Sequence, residues 1–199
     1  RERLPSSFYS KTFQFDYGEN IIKRNIAIIS YALELNINMQ EIVLKLPFLY
    51  SSEKYLNTNL LSDKKNILLI PGASNHSKCY PVSRFAKLAT LIDANFIIIW
   101  GNAKEKIMAN EIKLLAPKVS ICEKLTIDSL KSLISKVDLV IGPDSGPTHI
   151  ALGLNIASIT LFGSTPGYRN TYLTKINRII DSKSQVNPLR IDKNDYSIK

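Results

Sequence analysis

The sequence predicts an α/β fold in which helices cover both faces of a doubly wound parallel sheet. From residue 66 onward, short apolar runs rich in isoleucine and leucine alternate with segments of helical periodicity. Each apolar run ends at a glycine, a proline or a polar loop, which is typical of strands buried on both faces. Such alternation favours a parallel sheet with right-handed crossovers. We therefore expect the loops that follow the strands to meet at one edge of the sheet.

The composition narrows the classes of protein to consider. The chain has 199 residues, 45% of them hydrophobic, which suits one domain with a sizeable core or one domain plus a piece of another. No apolar run is long enough to span a bilayer, and the first residues lack the apolar segment of a secretory signal. The net charge of +9 favours an anionic small ligand or a membrane surface. Nucleic acid is not favoured, because the lysines are scattered and form no basic stripe with aromatic residues.

Cysteines and histidines give no metal-binding pattern. Cys79 and Cys122 lie far apart, so we expect two reduced thiols rather than a disulfide. No group of cysteines, histidines and carboxylates has the spacing of metal ligands. The sequence therefore predicts no protein-bound metal.

Residues 1–65 are less regular than the rest of the chain. Alternating aromatic and polar residues over 12–17 predict a short strand or an extended loop. Apolar residues recur at helical spacing over 19–35 and predict a helix. A connection and a short strand at 41–46 are expected next, and the polar segment 62–65 leads into the main domain.

From residue 66 the predicted elements alternate regularly. The apolar runs predict strands at 67–70, 96–100, 119–121, 139–141, 157–162 and 176–180. Helical periodicity predicts helices at 81–93 and 103–115, one that starts at Thr126 or Asp128 and runs through 133, and one from the turn after 141 to about 154. Pro81 suits a helix start, where its missing N–H costs nothing. Loops at the carboxyl ends of these strands are expected at 71–81, 101–105, 122–126, 142–149 and 163–169.

The turn 142–146 is the strongest candidate for a binding site. A glycine and a proline end the strand before it, and Asp144 or Ser145 can cap the helix that follows. Gly146 leaves room for a ligand to approach the backbone closely. The free amides and the positive dipole end of a helix attract anions. The sequence therefore predicts that a negatively charged or strongly polar ligand binds at this turn.

Three side chains near the same edge allow more than one interpretation. Lys78 can hold a diphosphate as a mobile point charge, or it can be a solvated loop lysine. Glu105 can accept hydrogen bonds from a ribose diol, or it can be an ordinary acid in the first turn of a helix. His149 lies one helical turn after Ser145 and no G-x-S-x-G elbow is present. A catalytic triad is therefore rejected, and we expect His149 to be buried or to line the site.

Two stretches together resemble a known family. The stretch Val140 to Ala151, followed by Ile159 to Thr165, resembles the D-[ST]-G-x-x-H-x-A … [TL]-[FY]-G-x-T signature of glycosyltransferase family nine, the ADP-heptose:lipopolysaccharide heptosyltransferases. Upstream, Pro71 to Ser74 with Lys78 to Pro81 resembles that family's G-[AT]-[ST]…K-x-[WY]-P loop. The resemblance covers roughly residues 66–182. Within the family the sequence is most like the enzymes that add the first heptose to Kdo of the inner core.

The resemblance implies a GT-B architecture, in which two Rossmann-like domains enclose the active site. This chain would form the C-terminal half. Residues 1–40 would be the last part of the N-terminal acceptor domain with its exit helix, residues 41–65 the connection, and residues 66–199 the donor-binding domain. The family's proposed catalytic base, an aspartate in the N-terminal domain, has no counterpart in this sequence. We therefore expect this chain alone to be incomplete for catalysis.

The resemblance also implies how the diphosphate of the ADP-heptose donor is bound. Lys78 would neutralise the diphosphate and stabilise the leaving group, which is the one catalytic role assigned to this chain. Ser74 would hydrogen-bond the diphosphate. Backbone amides around Ser145 and Gly146 would face it as well.

For the rest of the donor, the resemblance implies contacts from four further residues. Glu105 would bind the ribose and Leu125 would pack on the adenine. Asp144 would engage hydroxyl groups of the heptose, and His149 would line the same pocket.

The function implied by the resemblance is heptose transfer with inversion in lipopolysaccharide inner-core biosynthesis. The donor would be ADP-L-glycero-D-manno-heptose and the acceptor Kdo-lipid A, which the missing domain would bind. No metal, other cofactor or nucleic acid would be needed. The protein would be cytoplasmic and peripheral at the inner face of the bacterial inner membrane. Two alternatives are a non-catalytic nucleotide-sugar-binding module and another GT-B transferase or epimerase that uses a UDP-sugar.

Overall fold

Parallel strands form a single six-stranded sheet in the centre of the fold. The computed structural model describes residues 12–38, 40, 47, 49–50, 58–182, 186–187, 192 and 194. The strands are β1 (Asn66–Leu69), β2 (Asn95–Ile98), β3 (Ser120–Ile121), β4 (Leu139–Pro143), β5 (Ser158–Phe162) and β6 (Asn177–Asp181). They lie in the order β3-β2-β1-β4-β5-β6, and each neighbouring pair is parallel. The strand order therefore reverses between β1 and β4, where α/β proteins bind their ligands.

Helices precede the sheet and link its strands. They are α1 (Ile21–Leu33), α2 (Val82–Leu91), α3 (Ala103–Leu115), α4 (Ile127–Ile134), α5 (Gly146–Gly153) and α6 (Gly167–Asn170), and short 3₁₀ turns lie at Thr58–Leu60 and His76–Lys78. The side chains of Asn20, Asn102 and Thr126 each accept a backbone N–H from the first turn of α1, α3 and α4. These caps satisfy donors that have no partner inside the helix, so they fix where each helix begins.

Side chains of β1 alternate between two apolar layers. Ile67 and Leu69 face the layer that α2 and α3 build around Phe85. Leu68 and Ile70 face the layer on the other side of the sheet, which α4 and α5 complete. Successive residues of a strand point to opposite faces, so the run of four apolar residues buries β1 on both faces.

The carboxyl end of β4 lies unusually close to the chain after β1. A Cβ at Gly142 would stand 2.6 Å from the Cβ of Ile70 and 3.1 Å from its carbonyl oxygen. Only a glycine fits this approach without a shift of the backbone. The loops that follow β1 and β4 are therefore held side by side.

The predicted α/β fold, with a parallel sheet covered on both faces, is confirmed. The helix expected at 19–35 is α1. Residues 12–16 form no strand, so the extended loop is the correct alternative there. The strand expected at 41–46 lies outside the described residues. The prediction that β4 ends at 141 was wrong, because the strand continues through Gly142 and Pro143 beside β5.

The described residues also bear on membrane insertion and on the state of the cysteines. None of the helices in this part of the chain is both long and apolar enough to cross a membrane. Cys79 and Cys122 are not joined by a disulfide, and burial raises the pKa of the Cys79 thiol above its usual value.

Candidate functional site

Loops at the carboxyl edge of the sheet enclose a cleft of about 320 Å³. The cleft lies over the reversal of strand order between β1 and β4. Its floor is apolar and includes Ile70, Ile99 and Leu130, whereas Ser74 and Ser145 supply polar groups. An apolar floor with a few polar groups is the usual character of a small-molecule site.

Asp144 stands at the centre of a polar cluster beside this cleft. The side chain is only 7% exposed. Lys78 Nζ donates to its Oδ2 at 2.7 Å, and the Thr165 hydroxyl and the Asn170 amide donate to the same oxygen at 3.1 and 3.2 Å. His149 Nε2 lies 3.0 Å from the other oxygen, Oδ1. Both carboxylate oxygens are thus hydrogen-bonded.

These contacts determine the charge of the cluster. Burial by itself would raise the pKa of Asp144. The hydrogen bonds from His149 and Lys78 and the charge of Lys78 outweigh burial and hold the pKa well below its usual range. Asp144 is therefore ionised at neutral pH and can only accept hydrogen bonds, so Nε2 of His149 carries the hydrogen that it donates.

Lys78 is held by this cluster and is not a solvated lysine. Its side chain is 17% exposed and reaches Asp144 from the 3₁₀ turn His76–Lys78. The neighbouring Ser77 is buried, and its hydroxyl lies 3.2 Å from that of Ser164 in the loop after β5. This contact joins the loop after β1 to the loop after β5. An ammonium group has three N–H donors, so the bond to Asp144 leaves two for a ligand.

The N-terminus of α5 borders the cleft. Ser145 is the N-cap residue, and the Thr148 hydroxyl accepts its backbone N–H at 3.2 Å. We expected Asp144 or Ser145 to cap the helix, and the structure gives Asp144 a different role in the polar cluster. Apart from its chain neighbours and the backbone of its own helix, nothing lies within 4 Å of where a Cβ on Gly146 would be. Gly146 therefore leaves open space at the positive end of the helix, whereas Pro147 has no N–H to offer.

Glu105 also lines the cleft, from the first turn of α3. Its Oε2 accepts the N–H of Gly101 at 2.6 Å. The side chain passes so close to Gly72 that a Cβ there would stand 2.2 Å from Cγ of Glu105. Gly72 thus makes room for the carboxylate, and the Gly101 amide orients it toward the cleft.

The structure brings the predicted residues together in two groups. One group lines the cleft: Ser74, Glu105, Leu125, Ser145 and Gly146. The other forms the polar cluster: Lys78, Asp144 and His149. The groups adjoin, because Asp144 directly precedes Ser145. The ligand contacts assigned to these eight residues stay predictions.

Sequence reasoning missed three residues of the site. Thr165 lies in a stretch that we recognised, but we assigned it no role. Asn170 belongs to α6, a helix of four residues that the sequence did not predict. Gly72 could have been found from the rule that a glycine after a strand often marks a close approach.

No group of three or more cysteines, histidines and carboxylates in the described part of the chain is arranged to hold a metal ion. The polar cluster instead combines one carboxylate with cationic and neutral donors, a set better suited to an anionic ligand than to a cation.

Comparison with known proteins decides the family. A model described as glycosyltransferase family 9 (heptosyltransferase) matches residues 1–194. This chain belongs to that family. Lipopolysaccharide heptosyltransferase 1 of Campylobacter coli is 35% identical over the whole of this chain, which spans 62% of that protein. Lipooligosaccharide heptosyltransferase 2 of Campylobacter jejuni is 34% identical over 74% of this chain and 48% of that protein. The family 9 chain thus spans less than two thirds of these relatives.

Solved structures show the same fold. The E. coli heptosyltransferase WaaC with ADP-2-deoxy-2-fluoro heptose matches 92% of this family 9 chain and 56% of its own, with a TM-score of 0.66 and 18% identity. The glycosyl transferase family 9 protein from Veillonella parvula matches 90% of this chain and 54% of its own length, with a TM-score of 0.72 and 16% identity. This chain therefore shares its fold with a little over half of each of these solved chains.

Proposed function

We propose that this chain is the donor-binding part of a heptosyltransferase of lipopolysaccharide inner-core biosynthesis. The whole protein transfers heptose from ADP-L-glycero-D-manno-heptose to Kdo-lipid A with inversion. The observation that carries the proposal is the position of the Lys78–Asp144 pair next to the open N-terminus of α5, at the edge of a cleft with an apolar floor.

In this proposal the diphosphate lies at the N-terminus of α5. Two positive fields meet there, the ammonium group of Lys78 and the dipole end of the helix. Ser74 adds a hydroxyl from the facing loop, and the open space at Gly146 lets a phosphate reach the backbone amides. Asp144 and His149 then lie where the sugar bonded to the second phosphate would come.

The nucleoside fills the cleft. Leu125 and the apolar floor cover a flat base, and Glu105 accepts hydrogen bonds from the ribose diol. A carboxylate already oriented by the Gly101 amide loses little conformational freedom when it binds. The apolar floor and Glu105 therefore suit a ligand with a base and a ribose, and a sugar phosphate alone would leave both unused.

The reaction that follows is a single displacement. A hydroxyl oxygen of the acceptor forms a bond to the anomeric carbon of the heptose, and the bond from that carbon to the oxygen of the β-phosphate breaks. The electron pair leaves with ADP, and a base on the acceptor side takes the hydroxyl proton. We place that base in the acceptor domain of the whole protein. Lys78 and the amides at Ser145 and Gly146 stabilise the charge that grows on the β-phosphate, so the proposal requires no metal or other cofactor.

The acceptor side of the proposal includes the membrane. Kdo-lipid A is anchored in a bilayer, so the enzyme would work in the cytoplasm as a peripheral protein at the inner face of the inner membrane. The net charge of +9 is compatible with attraction to anionic lipids at that face.

Neither alternative function is favoured. The relatives described above are named heptosyltransferases, which supports an ADP-heptose transferase over an enzyme that uses a UDP-sugar. A binding module without catalysis has no observation of its own in its favour.

Transfer of heptose from ADP-heptose to Kdo-lipid A by the whole protein tests the proposal. We expect Lys78→Ala to lower kcat by about 10²-fold or more, as the loss of one group that stabilises the leaving oxygen does. Lys65→Ala is the matched control, because Lys65 also pairs with an aspartate, Asp138, but lies at the amino end of β1. Equal rates for wild type and Lys78→Ala would overturn the proposal.

A further inference from the structure

Two neutral donors share one carboxylate oxygen with a lysine in the polar cluster. Oδ2 of Asp144 accepts from Lys78, and it also accepts from Thr165 and Asn170. Thr165 is buried, and Asn170 is half-buried at the end of α6. The lysine can turn toward a ligand, whereas these two short side chains have few alternative positions.

The neutral donors matter when Lys78 moves. A buried carboxylate that loses its only partner is strongly destabilised. Asp144 keeps two hydrogen bonds at Oδ2 and one at Oδ1 when the ammonium group turns away from it. The free-energy cost of moving Lys78 from Asp144 to a diphosphate therefore depends on how well Thr165 and Asn170 satisfy the carboxylate.

The position of Asn170 depends on a segment far away in the sequence. Arg169 is 6% exposed, and its Nε donates to the carbonyl oxygen of Tyr17 at 3.1 Å while its guanidinium group stacks on the Tyr17 ring. The side-chain amide of Asn20 donates to the carbonyl oxygens of Tyr168 and Thr171 at 2.8 and 2.9 Å. Residues 17–20 thus hold both ends of α6, a helix too short to be stable by itself.

We propose that Asn170 is a positioning residue that governs how Lys78 is shared between Asp144 and the donor diphosphate. Arg169, held by Tyr17, keeps Asn170 within reach of the carboxylate. The inference rests on the proposed function, because it assumes that the diphosphate binds at Lys78. It extends that function by making the segment before α1 part of the donor site.

Titration of the chain with ADP tests this inference. In Asn170→Ala the carboxylate lacks one donor and holds Lys78 more tightly, so we expect ADP to bind about tenfold more weakly, as the loss of one hydrogen bond to a charged group predicts. Thr165→Val removes the other neutral donor at nearly constant volume and is expected to act in the same direction. Asn110→Ala, at an exposed asparagine of α3, is the matched control.

A double-mutant cycle separates positioning from a general structural effect. When Asp144→Ala has removed the carboxylate, Asn170→Ala should cause no further loss of ADP affinity, because the two residues act through one contact. An additive loss, or unchanged affinity in both Asn170→Ala and Thr165→Val, would overturn the inference. Either result leaves the proposed function intact, provided that wild type binds ADP and that Lys78→Ala weakens this binding. A wild-type chain that does not bind ADP would overturn both.

Discussion

At the scale of one residue, the most informative group is the buried carboxylate of Asp144. It is ionised although it is buried, because four donors surround it. The depressed pKa has a consequence for stability that can be measured. A carboxyl group whose pKa is lower in the folded state than in the unfolded state stabilises the fold most at a pH above its unfolded value.

We expect this contribution to be lost in acid. It is complete above the unfolded pKa of an aspartate, about 4, and it declines as the pH falls from there toward the lower pKa of the folded state. Urea unfolding of wild type and Asp144→Asn between pH 7 and pH 3 should give a stability difference that is constant near neutrality and narrows below about pH 4. Asp93→Asn is the control, because the ion pair of Asp93 with Lys64 is exposed and worth little. A difference that is independent of pH would contradict the assigned charge.

Substitution by alanine is expected to have different effects on stability at Gly146 and at Gly142. A methyl group at Gly146 meets nothing within 4 Å beyond its chain neighbours and the backbone of its own helix, so Gly146→Ala should fold with equal stability or gain up to about 1 kcal/mol. The same methyl group occupies space at the N-terminus of α5, so we expect ADP to bind more weakly. Gly142→Ala places its Cβ 2.6 Å from that of Ile70 and should cost about 1–3 kcal/mol of unfolding free energy. Thermal melts and ADP titration check both, and unchanged ADP affinity in Gly146→Ala would argue against a phosphate at this helix end.

At the scale of elements, the sequence predicted what local patterns determine and missed what distant contacts determine. The strand β1 and the helix α3 were predicted well, because an apolar run and helical periodicity are local signals. The helix α6 has no such signal and depends on contacts from residues 17–20. The strand β4 continues beside β5 through Gly142 and Pro143, whereas its pairing with β1 ends at Ile141. Pro143 therefore costs no backbone hydrogen bond to β1, although it has no N–H.

The loop after β1 and the first turn of α3 meet where the Glu105 side chain passes Gly72, at the proposed ribose position. We expect wild type to prefer ADP to 2′-deoxy-ADP and Glu105→Ala to reduce this preference, because in the proposed site the carboxylate accepts a hydrogen bond from the 2′-hydroxyl group. Gly72→Ala should have the same effect, since its Cβ would displace the Glu105 side chain. Glu111→Ala, on the exposed side of α3, is the control. If Glu105→Ala weakens both nucleotides equally, Glu105 does not bind the ribose diol.

At the scale of the whole molecule, the site combines segments that are far apart in the sequence. The turn after β4 could be proposed as a candidate anion site from the sequence, because a glycine and a polar cap follow a buried strand. The ion pair of Lys78 with Asp144 could not, since two loops must first be brought together by the sheet. For the same reason the contact of Arg169 with Tyr17, which joins α6 to the chain before α1, left no sequence signal.

Calorimetric titration of this chain with ADP, with UDP as the comparison ligand and Lys78→Ala alongside, tests the central claim most directly. The claim is that the cleft and the polar cluster bind the donor nucleotide. We expect ADP to bind more tightly than UDP, and we expect Lys78→Ala to weaken ADP binding while Lys65→Ala leaves it unchanged. Tighter binding of UDP, or ADP binding that does not depend on Lys78, would contradict the account.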